Sequence, residues 1–468
     1  MLHWVLLAVY IASIIAVIFF ERKNPTEAVL WVLVMVCLPY VGLLLYLVFG
    51  STTAIKMTTY FRRTRSKKRL PTSSASYEFV SVGQTFSDED LQVMRFNATY
   101  NSSPLTCYDD YKFFTSGEAH YRALFADIKA AEECIYVLFY TIHNDIMGQS
   151  LAAVLTEKAR QGVTVIVMYD FIANLSTPRE MFQPLVDAGG KVIRIKPYLT
   201  HFRSHRKIVA IDHRVGYIGG MNIGKQYANL AKRKNPWRDT QIRLTGACVG
   251  ALDSYFLTDF LCAVRRRSWN DTMSYIESIS FPQYPKTDNL CQFVVGGVDT
   301  HKESVKMNYL SMIRSAKKRI RIQSPYFIPD VSVLDALKTA AASGVQVELM
   351  IPGVKASFFL DPVTNYYAGQ IMEYGAQVFK YEGYIHAKTM VIDDELCCIG
   401  SVNMDVRSLM VDDEICGVFY ANDLVEQYGD IFEDDVTHCI RYRYEEFISR
   451  SKKERFMESM FLPFAPLM

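Results

Sequence analysis

The sequence predicts an α/β fold built twice: a duplicated α/β sandwich of two pseudo-symmetric halves, preceded by a transmembrane helical hairpin. Three observations predict it. The pattern His-x-Lys-x-x-x-x-Asp at His205, Lys207 and Asp212 recurs 181 residues later at His386, Lys388 and Asp393. The segments leading into each copy alternate helix-like and strand-like patterns in the same order, as an internal repeat does. The first fifty residues carry two long uncharged apolar runs.

The apolar runs extend from Val5 to Phe20 and from Ala28 to Gly50, each near the length that spans a bilayer. A cleaved signal peptide is disfavoured, because no basic segment precedes the first run and a second, longer one follows closely. Pro39 falls inside the second run, where membrane helices tolerate a kink. The loop between them, Glu21 to Glu27, is charge-balanced. Lys56, Arg62, Arg63, Arg65, Lys67, Lys68 and Arg69 follow the second run with no acid among them. The positive-inside rule then expects a multi-pass protein of the cell membrane with both termini and the catalytic region on the cytoplasmic side. PTSSAS at 71–76 reads as a flexible joint. Sequons at Asn97 and Asn101 are expected to be unused on this topology.

In the first half, residues 119–131 are amphipathic, 134–142 form a buried-strand run, 148–162 read as a helix closing on Gly162, and 163–170 as a strand. The second half repeats this with a helix at 306–318, a strand at 319–328, a helix at 332–344 and a strand at 345–352. Alternating β and α segments predict a largely parallel central sheet in each half. The short turns Asp212–Arg214 and Asp393–Glu395 predict that the motif strands enter as antiparallel hairpins. Periodicity fades over 268–290. The expected organisation is therefore the hairpin at 1–50, a basic juxtamembrane segment and linker at 51–110, and halves at 111–280 and 281–468. The aromatic stretch 358–375 reads first as core, with Phe358–Tyr367 a candidate wall of an apolar channel.

Strand residues two apart share a face, so His205 and Lys207 point together, as do His386 and Lys388. Asp212 and Asp393 lie an odd number of residues from their histidines, which makes them supports that complete the motif from the opposite face. Each copy is followed by a glycine turn and an asparagine, Asn222 and Asn403. An imidazole beside an ammonium and an amide donor suits attack on an anionic phosphorus centre.

At these residues the chain resembles the phospholipase D superfamily, and more closely its bacterial cardiolipin synthases. The resemblance takes in WRDTQIRLTG (237–246), NMDVRSLMVDDE (403–414) and RFMESMFLPFAPLM (455–468), and so runs over nearly the whole chain. It implies paired catalytic histidines, one per half, a phosphohistidine intermediate, and neither metal nor other cofactor. It also implies an acidic partner for each histidine, at Asp239 and Glu414, grouped with Asn222 and Asn403 as substrate-binding residues. The implied substrates are phosphatidylglycerol and other anionic phospholipids in a membrane bilayer. Two positions depart from the pattern: Gln226 stands where a glutamate is expected, and Asp412 where an asparagine is.

Composition narrows the alternatives. A net charge of +2 over 468 residues offers no polycation for nucleic acid, and a superfamily nuclease would not need a membrane hairpin. None of the ten cysteines forms a C-x-x-C pair, which argues against structural zinc. A phospholipase D-type hydrolase, a transferase with another acceptor and an inactive membrane scaffold are the competing readings. The scaffold is disfavoured because both histidines and both lysines are present.

Overall fold

The computed structural model describes residues 2–19, 25–46, 60, 64, 86–196, 203–231, 236–297, 300, 303–355, 357–421 and 423–468. The seven basic residues at 56–69 and the joint at 71–76 lie outside these residues.

Near the start of the chain, helices form over Leu2–Phe19, Pro25–Cys37 and Val41–Leu45. Among the described residues no helix is long and apolar enough to cross a membrane. The second apolar run, expected as one span, divides at Pro39. Proline has no N–H to continue the helical ladder, and Tyr40 takes a positive φ of 66°. The short third helix then folds back on the second. A Cβ on Gly42 would lie 2.5 Å from the Val34 carbonyl oxygen, so this approach requires glycine.

Among the described residues, 86–468 are built on two large sheets packed face to face, with two short two-stranded ladders beside them. The first contains, in spatial order, Tyr111–Phe114, Gln241–Thr245, Val215–Gly219, Ile208–Ile211, Cys134–Phe139, Thr164–Asp170 and Lys191–Ile195. The second runs Thr106–Cys107, Leu290–Val295, Ile415–Tyr420, Leu396–Gly400, Thr389–Ile392, Arg319–Gln323, Gln346–Pro352, Gln377–Tyr381 and Cys439–Tyr442. Both are mixed rather than largely parallel. Within these two sheets parallel pairing is confined to the three strands joined by helical crossovers in each half, such as Cys134–Phe139 with Thr164–Asp170. The remaining neighbours in each sheet pair antiparallel, and only the motif strands are joined to their partners by turns of three residues.

Alternation within single strands builds the layers. Along Cys134–Phe139, the side chains of Cys134, Tyr136 and Leu138 enter the core between the sheets. Ile135, Val137 and Phe139 face outward and are covered by helices Gly117–Ala130 and Ile146–Arg160. Cys397 and Ile399 enter the same inter-sheet core from the other half, and the helix Cys248–Ala263 adds to it from the first. A strand buried on both faces must be apolar throughout, which is why these runs show no polar alternation in sequence.

Residues 88–107, expected as linker, belong to the second half. Ser87 caps the helix Asp88–Thr99 by accepting from Asp90 N, with three acids in its first turn. Leu91, Val93 and Met94 join the second half's outer core, and Thr106–Cys107 adds an edge strand to its sheet. The Asn97 side chain is buried and donates to Asn308 Oδ1, so that sequon nitrogen is inaccessible. All ten cysteines are free thiols.

Candidate active site

The two His-x-Lys triplets stand just ahead of strands Ile208–Ile211 and Thr389–Ile392, in extended backbone where the halves meet. Each is zipped to the opposite half. His205 N donates to Asp413 O at 2.9 Å, and His386 N donates to Arg238 O at 2.6 Å. The next residue along each partner segment is an acid, and these backbone bonds set that acid beneath the imidazole. His205 Nδ1 lies 2.8 Å from Glu414 Oε1, and His386 Nδ1 lies 2.6 Å from Asp239 Oδ2. The carboxylates are thus exchanged: the acid of each half serves the histidine of the other. With Nδ1–H donating to a carboxylate, each ring presents Nε2 as its free nitrogen.

Both lysines turn back on their own motif. Lys207 Nζ donates to His205 O at 2.6 Å, and Lys388 Nζ donates to His386 O. Burial pushes Lys207 down to about 7 and Lys388 down to about 8. Burial and the charges of Lys207 and Lys388 hold His205 well below the ordinary imidazole value. Burial and Lys388 bring His386 to about 3, with Lys207 adding to the effect. Each histidine feels the lysine of the other half, so all four groups share one site and both imidazoles are neutral in the free protein.

The two carboxylates are not equivalent. Asp239 is buried, yet His386 and Lys388 keep it below the usual carboxylate value, and it also accepts from Thr240 N at 2.7 Å. Glu414 is raised to about 7 by burial despite Lys207 nearby, and its second oxygen accepts from the Ser401 hydroxyl. Gly220 occupies the matching place in the first half, where a Cβ would lie 2.1 Å from Asp239 Oδ1. The glycine lets the shorter acid approach closely; the serine ties down the longer one.

The other sequence candidates divide. Asn222 is committed to bracing its loop, accepting from Thr141 N and donating to Tyr227 OH. Asn403 Oδ1, by contrast, is buried without a hydrogen-bond partner. Asp212 and Asp393 do not reach the histidines: they sit at the far end of the motif strands, roughly 16 Å past the lysines at strand rise. Asp212 accepts from the backbone N–H groups of Glu132, Glu133 and Cys134. Asp393 accepts from those of Lys317, Lys318 and Arg319. Both have positive φ, as do the residues after them, His213 and Asp394.

Gln226 Nε2 lies 2.6 Å from His143 Nε2. Asp412 accepts from Arg407 Nη2 at 2.8 Å, while burial pushes its carboxyl well up against that pull, with Glu414 and Asp405 adding to the rise. Sequence reasoning missed an aromatic collar. The Tyr140 ring stands edge-on to His205 at 4.7 Å, and Trp237 lies 5.0 Å from His386 with Tyr227 and Tyr384 beside it. Its signal was adjacency: Trp237 precedes Asp239 by two residues, and Tyr384 precedes His386 by two. Among the described residues no three His, Cys, Asp or Glu side chains converge as metal ligands would.

Comparison with known proteins places this arrangement. The cardiolipin synthase, phospholipase D-like domain family matches residues 124–234 and 309–436, and the phospholipase D-nuclease N-terminal family matches residues 8–51. The major cardiolipin synthase of Bacillus subtilis is 33% identical, over 97% of this chain and 96% of its own. A cardiolipin synthase of Listeria monocytogenes is 32% identical, over 99% and 98%. The crystal structure of phosphatidylserine synthase from Haemophilus influenzae superposes with a TM-score of 0.62 at 16% identity, over 80% of this chain and 97% of that one, and so shares the fold. The chain belongs to the cardiolipin synthase family of phospholipase D-like proteins.

Proposed function

We propose that this protein transfers a phosphatidyl group from one phosphatidylglycerol to the terminal hydroxyl of another, giving cardiolipin and glycerol. The observation that carries the reading is the exchanged pair of histidine–carboxylate contacts, flanked by two lysines at one buried site. The Nε2 of one histidine attacks phosphorus and the P–O bond to the headgroup glycerol breaks. The second histidine gives its proton to the departing oxygen. That same imidazole then takes the proton from the acceptor hydroxyl, whose oxygen displaces the first histidine and closes the cycle.

Lys207 and Lys388 match the charge that grows on the non-bridging oxygens. The bound phosphodiester in turn offsets the two ammonium charges and lifts the second imidazole's proton affinity into a useful range. Asp239 is the better-ionised acid and favours an imidazolium at His386, so His386 is assigned the proton transfer and His205 the attack. Asn403 supplies an amide beside the phosphate. Asp212 and Asp393 hold the motif hairpins. The apolar segments in the first fifty residues attach the chain to the cell membrane, with the basic run at 56–69 against the anionic cytoplasmic leaflet.

Incubating the purified protein with phosphatidylglycerol as sole lipid tests this. Cardiolipin and free glycerol are expected in equal amounts by mass spectrometry. Phosphatidic acid as the dominant product would make the protein a hydrolase.

A further inference from the structure

The catalytic region carries an apolar surface that the reaction chemistry does not use. Phe358 and Phe359 are 67% and 56% exposed, and Phe456, Met460 and Phe464 are 66%, 40% and 53% exposed. The two groups form one patch, because Phe358 and Phe359 both stand edge-on to Phe461, at 5.5 and 5.1 Å. Phe456 and Met460 are four residues apart on the helix Lys452–Phe461, hence on one stripe, and Phe464 follows in the 3-10 turn Leu462–Leu467. The adjoining stripe is anchored: Phe461 and Ala465 pack against Ile328 and Val363.

Basic groups outnumber acids around the patch. Lys355, Lys452, Lys453 and Arg455 are exposed beside it. Of the nearby acids, Glu458 pairs with Arg450, while Glu454 stays exposed and ionised in a capping box with Ser451. The patch also adjoins the active site. Ile328 pairs with Asp405, two residues after Asn403, and Arg407 N donates to Met468 O.

The geometry points to this patch as a second bilayer-contacting surface, separate from the first fifty residues, which seats the catalytic region on an anionic leaflet with its site towards the lipid headgroups. Exposed aromatics rimmed by lysine and arginine are the composition of a helix lying in a membrane interface. A soluble face would not expose four phenylalanines together. The inference rests on the phosphatidyl-transfer reading, since it is a lipid-embedded substrate that makes such seating useful.

The test compares the full chain with the variant Phe456→Ser/Met460→Ser/Phe464→Ser on two substrates. One is long-chain phosphatidylglycerol in vesicles; the other is dihexanoyl phosphatidylglycerol below its critical micelle concentration. The variant is expected to lose about tenfold of its rate on vesicles and none on the monomeric lipid, and a variant with leucine at the same three positions is expected to recover most of the loss. Equal vesicle rates for parent and Ser variant would overturn the proposal. So would an equal loss on both substrates, which would mean damage to the site, or a parent dimer that the Ser variant dissolves, which would mean the patch meets a second copy of the chain. A parent inactive on both substrates would instead sink the transfer reading itself.

Discussion

Replacing Asp212 by asparagine keeps the shape of the side chain and changes only what it offers. Oδ1 accepts from Glu133 N at 2.7 Å and Cys134 N at 2.9 Å, and Oδ2 accepts from Glu132 N at 2.8 Å. In the amide, one oxygen retains the first two bonds without the charge that strengthens them. The NH2 group then faces the Glu132 N–H, donor against donor. Charge-assisted bonds are about twice as strong as neutral ones, and the Glu132 N–H can turn to water, so the loss is about 2–3 kcal/mol. At about 2 cal/mol/K per residue, unfolding residues 86–468 carries an entropy of about 0.8 kcal/mol/K, so the thermal midpoint should fall by about 3 °C. Scanning fluorimetry in detergent measures the midpoint, and turnover per folded molecule should remain within about threefold of the parent. Asp393→Asn should behave alike, and the two should add, because they sit on different sheets. A variant with the parent's midpoint and transfer lost about a hundredfold would refute the supporting role and return these aspartates to the chemistry.

Asp239→Asn and Glu414→Gln should each lower turnover by about 10²–10⁴-fold without loss of fold, since an amide no longer holds the imidazole in its Nδ1–H tautomer; a loss below about tenfold in either would show that the contact is not used. Lys207 at about 7 and Lys388 at about 8 lose their protons as pH rises, so kcat/KM should decline above roughly pH 7. Lys207→Arg should shift that decline to higher pH, and a profile unchanged by the arginine would exclude the lysine as its source. His205→Ala and His386→Ala should each abolish transfer, with the double variant no worse than either single; residual activity that differs between the singles and drops further in the double would contradict a shared site. Rapid quench with labelled phosphatidylglycerol should trap label on His205, and label on His386 would reverse the assignment of attack and proton transfer.

Much of this was legible in the sequence because the fold repeats itself. The strands Cys134–Phe139 and Arg319–Gln323 are visible within the runs 134–142 and 319–328, since burial on both faces removes polar residues. The hairpins at Asp212–Arg214 and Asp393–Glu395 followed from turn length alone. Three things were hidden. The mixed pairing of the sheets depends on which connections cross over, and apolar runs look alike in either direction. The helix at 88–99 is polar enough to pass for a linker, and only its packing against the second half gives its apolar positions a purpose. The exchange of Asp239 and Glu414 between halves is a contact across 147 and 209 residues, and no local pattern encodes which acid meets which histidine. Pro39, by contrast, was read as a kink within a span, and the backbone instead folds back at that point.

That exchange has an evolutionary corollary. In a duplicated protein each copy is ordinarily free to decay once the other suffices. On the proposed mechanism a lesion in the acid of one repeat silences the imidazole of its sibling, so neither repeat can become the spare. The two must drift as a couple, each correcting for the other. The same logic governs fission: severing the chain near residues 268–290 should yield two inert polypeptides, and mixing them should restore activity only insofar as they re-form the whole. The gene behaves as one inheritable unit although its product is written twice.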